Sequence, residues 1–228
     1  MKILILAAHP DDEVLGMGGT IKKLSKGGNE IKIIFMSTGI LSRRKIESKV
    51  SKQVFTKDWM KKNENKIKSL RGDAKKAGKI CKKFNVKFII NDNPYFTKQI
   101  GADGCHLGQK DMSLQKARKI LKKKIIGVSC HNSIKLVKKA TKDGADYVAL
   151  GSFFKSKTKQ NAIRSKIQII NKSKKVSKLP IVCIGGITDK NYKKLILHKP
   201  NFLAISNYIW SNSKLKPKEA AKKLIYEN

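Results

Sequence analysis

Eight short apolar runs, each followed by a stretch able to form a helix, recur along the whole chain. The runs fall at residues 3–7, 31–36, 87–90, 104–107, 125–128, 147–150, 181–184 and 202–205. The helix-like stretches lie at 12–24, in a long piece between 44 and 84, and at 94–100, 114–121, 133–143, 163–176, 190–197 and 216–226. Apolar runs of this kind read as short strands. Strands alternating with helices read as parallel βαβ units. Eight such units close into a (β/α)8 TIM-type barrel, an α/β architecture that suits a single domain of 228 residues.

The expected helix ends agree. Gly27-Gly28, Gly101 and Gly144 fall where the first, third and fifth helices must stop, as residues that accept a left-handed backbone should. Pro180 precedes the seventh strand, where a missing N–H is tolerated. The weak part is 44–71, a polar stretch rich in Lys, Asn and Ser, with Val54, Phe55, Trp59 and Met60 as its apolar anchors.

Composition narrows the function. The formal charge of +36 invites a nucleic-acid partner. Yet nearly all the basic residues are Lys, spread along the chain as on solvated helix faces, with Arg only at Arg43, Arg44, Arg71, Arg118 and Arg164. Recognition of bases and phosphates favours the guanidinium fork, so dedicated nucleic-acid binding is disfavoured. Small anionic substrates such as pyrophosphates would still be drawn to the surface. Cys81, Cys105, Cys130 and Cys183 form no CxxC pair, and three lie in or beside apolar runs, so they read as core residues rather than a disulfide or zinc framework. The apolar start is too short for a secretory signal, and no run approaches a membrane span, which points to a cytoplasmic protein with no membrane partner. The sequence leaves room for a homo-oligomer.

Polar residues crowd the ends of the later strands. In order they are FIINDN (88–93), IGADGCHLGQKDMS (100–113), IIGVSCHN (125–132), DGADYVALGSFFKSKTK (143–159), PIVCIGGI (180–187) and FLAIS (202–206). Together these motifs resemble the thiamine phosphate synthase family, with its TenI-like regulatory relatives, over roughly residues 79–210. The resemblance implies a transferase of thiamine biosynthesis that joins hydroxymethylpyrimidine pyrophosphate to a thiazole phosphate and releases pyrophosphate with the help of Mg²⁺. It implies Asp92 and Asp111 as metal ligands, Asn91 on the pyrimidine, and Ser129 with Lys159 as the catalytic pair on the departing pyrophosphate. Ser156, Lys157 and Thr158, with the backbone at Gly186, Ile205 and Ser206, would cradle the thiazole phosphate.

These residues make chemical sense at strand ends. Two carboxylates that end consecutive strands can face one Mg²⁺ on the catalytic rim. The bland alternative is that Asp92 and Asp111 merely cap the helices that follow. His106 and His131 read as hydrogen-bonded structural histidines. Gly185-Gly186 reads as a place where backbone must approach a phosphate closely.

The first 80 residues differ. The Gln-Leu-Arg-x-Lys element that the family presents after its second strand is absent; FMSTGILSRRK stands at 35–45, where only Arg43, Arg44 and Lys45 could substitute. Loss of that grip on pyrophosphate calls full activity into question and keeps a non-catalytic, TenI-like phosphate-binding barrel as the alternative. Instead, ILAAHPDDEVLGMGGTI (5–21), and RGDAKKAGKI (71–80) in the next helix, resemble the Rossmann-like start of LmbE/PIG-L-type N-acetylglucosamine deacetylases. That resemblance implies a zinc site on His9 and Asp12 with Asp11 as general base, so Zn²⁺ enters only if this segment is functional. The family's later HxDH-like element is missing, which makes the site vestigial. The expected organisation is a hybrid: an LmbE/PIG-L-like βαβα segment at 1–80 supplying the first two β/α units, and synthase-like units three to eight at 81–228, in one structural domain.

Overall fold

A computed structural model describes residues 2–7, 30–35, 64–83, 85–155 and 164–226. Among these, eight parallel strands follow one another in sequence order and close into a barrel. They are β1 (Lys2–Ala7), β2 (Glu30–Phe35), β3 (Lys87–Asn91), β4 (Gly104–Leu107), β5 (Ile125–His131), β6 (Tyr147–Leu150), β7 (Ile181–Ile184) and β8 (Phe202–Ile205). Closure runs through the first two strands: β1 pairs with β2 and with β8, and β2 pairs with β3. The expected helix at 12–24 and the Gly27-Gly28 stop lie outside the described residues.

The described helices are α1 (Glu64–Lys83), α2 (Pro94–Ile100), α3 (Leu114–Leu121), α4 (Ile134–Lys142), α5 (Ile169–Val176), α6 (Tyr192–Ile196), α7 (Asn207–Trp210) and α8 (Pro217–Tyr226). They cover the barrel through small and apolar faces. Ala117 and Leu121 of α3, Val137 and Ala140 of α4, and Ile169 and Ile170 of α5 are buried against outward-facing strand residues such as Cys105, Ile126, Val148 and Cys183. The alternate strand residues, Ile89, Tyr147, Ala149, Val182, Phe202 and Ala204, pack together as a separate inner cluster. This period of two is what a strand buried on both faces requires, and it explains runs with no polar break. No described helix is long and apolar enough to cross a membrane. The four cysteines are buried, as their apolar context suggested.

The two ends of the barrel use polar residues differently. At the N-terminal end, Asp103, Asp146 and Asn201 each precede a strand and accept from the backbone N–H of the neighbouring one. Phe88 N donates to Asp103 at 2.8 Å, Ile126 N to Asp146 at 2.7 Å and Ile181 N to Asn201 at 2.9 Å. Arg118 adds a second clamp, donating to the Lys122, Lys124 and Gly144 carbonyls and to Asp146. The repeated Gly-Ala-Asp triplets at 101–103 and 144–146 are therefore structural. Gly101 and Gly144 turn left-handed at φ 72° and 84° after α2 and α4, the Ala is buried, and the Asp closes the strand end. Of the residues singled out above, those that are described, Asn91, Asp92, Asp111, Ser129, Gly186, Ile205 and Ser206, lie at the C-terminal ends of the strands or in the segments just after them.

Candidate active site

Alternation decides which side chains can reach the mouth. On β3 to β5 the inner-face positions ascend through Ile89 and Asn91, Gly104 and His106, and Gly127 and Ser129. Asn91 pairs with His106 in register and His106 with Gly127, so adjacent strands bring Asn91, His106 and Ser129 to one end. Asn91 is a buried polar residue at the end of β3. Ser129 lies where β5 shifts register between Ser129 and His131. His131, at φ 50°, is exposed, and its carbonyl accepts from Gly151 N. It holds backbone, and among the described residues no side-chain hydrogen bond supports the expected structural role for its imidazole.

Neither carboxylate caps a helix. The N-cap of α2 is Asn93, whose Oδ1 accepts from Phe96 N at 3.0 Å, and that of α3 is Ser113, whose Oγ accepts from Lys116 N at 3.4 Å. Asp92 sits one residue past β3 in the left-handed region, φ 66°, with its N–H donating to the His106 carbonyl at 2.8 Å. An L-residue there costs of order 1 kcal/mol, and such a cost tends to persist where function requires the placement. Asp111 lies between β4 and α3, and its Oδ2 accepts from Gly108 N at 2.6 Å. Burial first of all pushes the Cys105 thiol up to about 12, and Asp92 and Asp111 both add to that rise, so one buried sulfur feels both carboxylates.

His106 was expected to be a bonded structural histidine, and it is bonded on both ring nitrogens: Nε2 lies 2.9 Å from Ser129 Oγ and Nδ1 lies 2.9 Å from Tyr147 Oη. Tyr147 and Gln109 are the members of this group that the sequence reading missed. Tyr147 begins β6 and reads as an apolar core residue; its ring reaches β4 because Gly127, its register partner, has no side chain. A Cβ at Gly127 would sit 1.9 Å from the ring's Cζ. A glycine opposite an aromatic residue was the available signal. Gln109 Nε2 donates to the Ser129 carbonyl and fixes the β4–α3 loop against β5.

The donor set fits Mg²⁺ better than Zn²⁺. It offers two hard carboxylates, while the His106 imidazole is engaged on both ring nitrogens. No group of three or more His, Cys, Asp or Glu that could hold a metal occurs among the described residues. Mg²⁺ typically takes one or two carboxylates and completes its shell with water and substrate phosphate, whereas a zinc site needs a fuller protein set.

On the far side of the mouth, the loops after β6 and β7 are zipped together. Phe153 N donates to Ile184 O at 3.2 Å and Phe154 N to Gly185 O at 3.0 Å. Gly186 has φ 63°, and a Cβ there would lie 2.3 Å from Lys155 O and 2.7 Å from Phe154 O. The absence of a side chain at Gly186 is thus required by neighbouring backbone, apart from any phosphate. Ile205 is buried among the outer apolar residues and can serve a ligand only through backbone. The Ser206 carbonyl accepts from Ile209 N and Trp210 N and starts α7, a short helix that the sequence pattern did not reveal. Ser156, Lys157, Thr158 and Lys159, the Arg43–Lys45 candidates (residues 43–45), and His9, Asp11 and Asp12 lie outside the described residues.

The family model described as thiamine monophosphate synthase matches residues 55–209. A thiamine-phosphate synthase of Pelagibacter ubique is 59% identical over 165 residues, covering 72% of this chain and 79% of its own length. One from Nitrosospira multiformis is 37% identical over 153 residues, 67% of this chain and 65% of its own. Among solved structures, a thiamine phosphate pyrophosphorylase from Pyrococcus furiosus shares the fold with a TM-score of 0.68 at 20% identity, covering 98% of this chain and 93% of that one. A 3-hexulose-6-phosphate synthase from Salmonella typhimurium gives 0.61 at 16% identity, over 98% and 96% of the two chains. The family match begins at residue 55, so the helix at 71–80 falls inside it rather than in a separate deacetylase-like segment. None of these relatives is a deacetylase by name.

Proposed function

The chain belongs to the thiamine monophosphate synthase family, and from its rim we propose a transferase that joins hydroxymethylpyrimidine pyrophosphate to thiazole phosphate, releasing pyrophosphate. The reading is supported by Asn91 and Ser129 on inner positions at the same end of β3 and β5, and by Asp92 and Asp111 in the segments that follow β3 and β4, with the helix caps on other residues.

In this reading the C–O bond between the pyrimidine methylene and the pyrophosphate breaks, and the thiazole nitrogen forms the new bond to that carbon. Asn91 hydrogen-bonds the pyrimidine and fixes its orientation. Ser129 donates to an oxygen of the departing pyrophosphate, where charge grows as the bond breaks. Lys159 neutralises the same charge. Ser156, Lys157, Thr158 and the backbone at Gly186, Ile205 and Ser206 hold the thiazole phosphate. Asp92 and Asp111 would hold Mg²⁺, whose chemistry is charge neutralisation on the pyrophosphate oxygens. The partners are small phosphorylated molecules.

The deacetylase-like resemblance of residues 5–21 adds no activity to this reading. β1 and β2 complete the closed barrel, and in this reading His9, Asp11 and Asp12 receive no catalytic role. Incubation with both precursors and Mg²⁺ tests the proposal: thiamine phosphate should form at a rate that depends on metal. Tight binding of thiazole phosphate by folded protein without turnover would favour the non-catalytic alternative.

A further inference from the structure

A serine hydroxyl within hydrogen-bond reach of an imidazole, itself held by a third side chain, has the outline of an activated nucleophile. Here the third group changes the outcome. In such triads the orienting group is a carboxylate, which accepts from Nδ1–H and leaves Nε2 to take the serine proton. Tyr147 Oη occupies that place, 2.9 Å from Nδ1 of His106.

Tyr147 is buried at 8% exposure, and His106 Nδ1 is the one partner of its hydroxyl among the described residues. Were the phenol only an acceptor from Nδ1–H, its own proton would be buried without an acceptor, which costs about 1–3 kcal/mol. Burial also pushes its pKa well above the ordinary value, so the phenol keeps that proton. It therefore donates to Nδ1. A neutral imidazole that accepts at Nδ1 carries its proton on Nε2. That N–H faces Ser129 Oγ at 2.9 Å, and the hydroxyl must accept. A hydroxyl that has accepted from the interior retains its own proton to give outward. The near-parallel His106 and Tyr147 rings, 5.5 Å apart with 23° between planes, keep this alignment.

We infer that Tyr147 and His106 are positioning residues whose ordered hydrogen bonds commit Ser129 to donate toward the barrel mouth, and so to a phosphate oxygen, rather than to act as a nucleophile. The inference rests on the proposed reaction for its consequence, and on the bonding pattern alone for its content.

The test therefore begins without substrate. In ¹⁵N NMR of the whole protein labelled in histidine, with the His106 signals assigned by comparison with His106→Gln, wild type should show the neutral Nε2–H tautomer. An Nδ1–H tautomer would overturn the inference, whatever the enzyme does. Kinetics supply the second arm. Tyr147→Phe should reduce kcat by about 10-fold, in the range seen when a group supporting an active-site residue is lost, with little change in KM. His106→Gln, whose amide can still donate to Ser129, should retain more activity than His106→Ala. In a Ser129→Ala background the Tyr147→Phe effect should vanish; an undiminished effect there would show a role that does not pass through the serine. If wild type makes no thiamine phosphate while the tautomer is as stated, the proposed reaction fails and the bonding order stands.

Discussion

The Asp111 carboxylate accepts from the Gly108 amide at 2.6 Å, inside the loop that joins β4 to α3, while Ser113 caps the helix. On the preceding unit Asp92 is likewise spared, because Asn93 caps α2. Each strand end thus carries a carboxylate and a separate cap. Helix capping alone does not account for the two acids.

Replacing either acid by its amide should separate activity from stability. Asp92→Asn or Asp111→Asn should lower Mg²⁺-dependent turnover on the order of 10²-fold, as loss of one electrostatic partner does. Surface changes of this kind are worth about 0.5 kcal/mol, so the melting temperature should move by roughly 1–2 °C. Turnover and thermal melts on the same samples check both.

The caps should behave in the opposite way. Asn93→Ala should cost about 1 kcal/mol and lower Tm by roughly 2–4 °C. Ser113→Ala should cost less, since its bond is 3.4 Å against 3.0 Å. The metal concentration needed for half-maximal activity should be unchanged in both, as a metal titration would show.

Much of the barrel was legible because burial on both strand faces leaves uninterrupted apolar runs. β4, β6, β7 and β8 begin and end where those runs do. β5 continues to His131 because its last residues, Ser-Cys-His, pair across a register shift that no hydropathy pattern signals. α5 begins at Ile169 rather than 163, and residues 156–163 lie outside the described part. Asn91, Asp92 and Ser129 stand at or just past the ends of apolar strands and Asp111 in the loop after β4, and it was the family resemblance that singled them out. Tyr147 was not singled out, since its hydroxyl works two strands away from its own backbone.

Gly186→Ala should destabilise the protein through the loops after β6 and β7. The left-handed φ and the approach to the Phe154 and Lys155 carbonyls together should cost about 2–4 kcal/mol. Thermal melts should show a fall of roughly 5–15 °C. An unchanged Tm would mean that the two loops are not packed as described.

Stability should fall in alkali. Burial raises the Cys105, Cys130 and Cys183 thiols from 9.0 to about 12. Below pH 9 these thiols are protonated in both folded and unfolded chains, and their contribution is fully present. As pH rises from about 9 toward 12 the unfolded chain releases protons that the folded one retains, so stability drops by up to about 1.4 kcal/mol per pH unit per thiol. Denaturant titrations across this window measure the slope. At pH 8 the same three thiols should resist a thiol reagent until the protein unfolds.

The central claim is that Asp92 and Asp111 serve one metal beside the Ser129 hydroxyl. Anomalous diffraction from crystals holding Mn²⁺ and pyrophosphate tests it most directly. One manganese peak should lie against both carboxylates, with direct ligand distances of about 2.0–2.6 Å, and a pyrophosphate oxygen should accept from Ser129. Manganese bound away from these two residues, or pyrophosphate seated elsewhere on the protein, would contradict it.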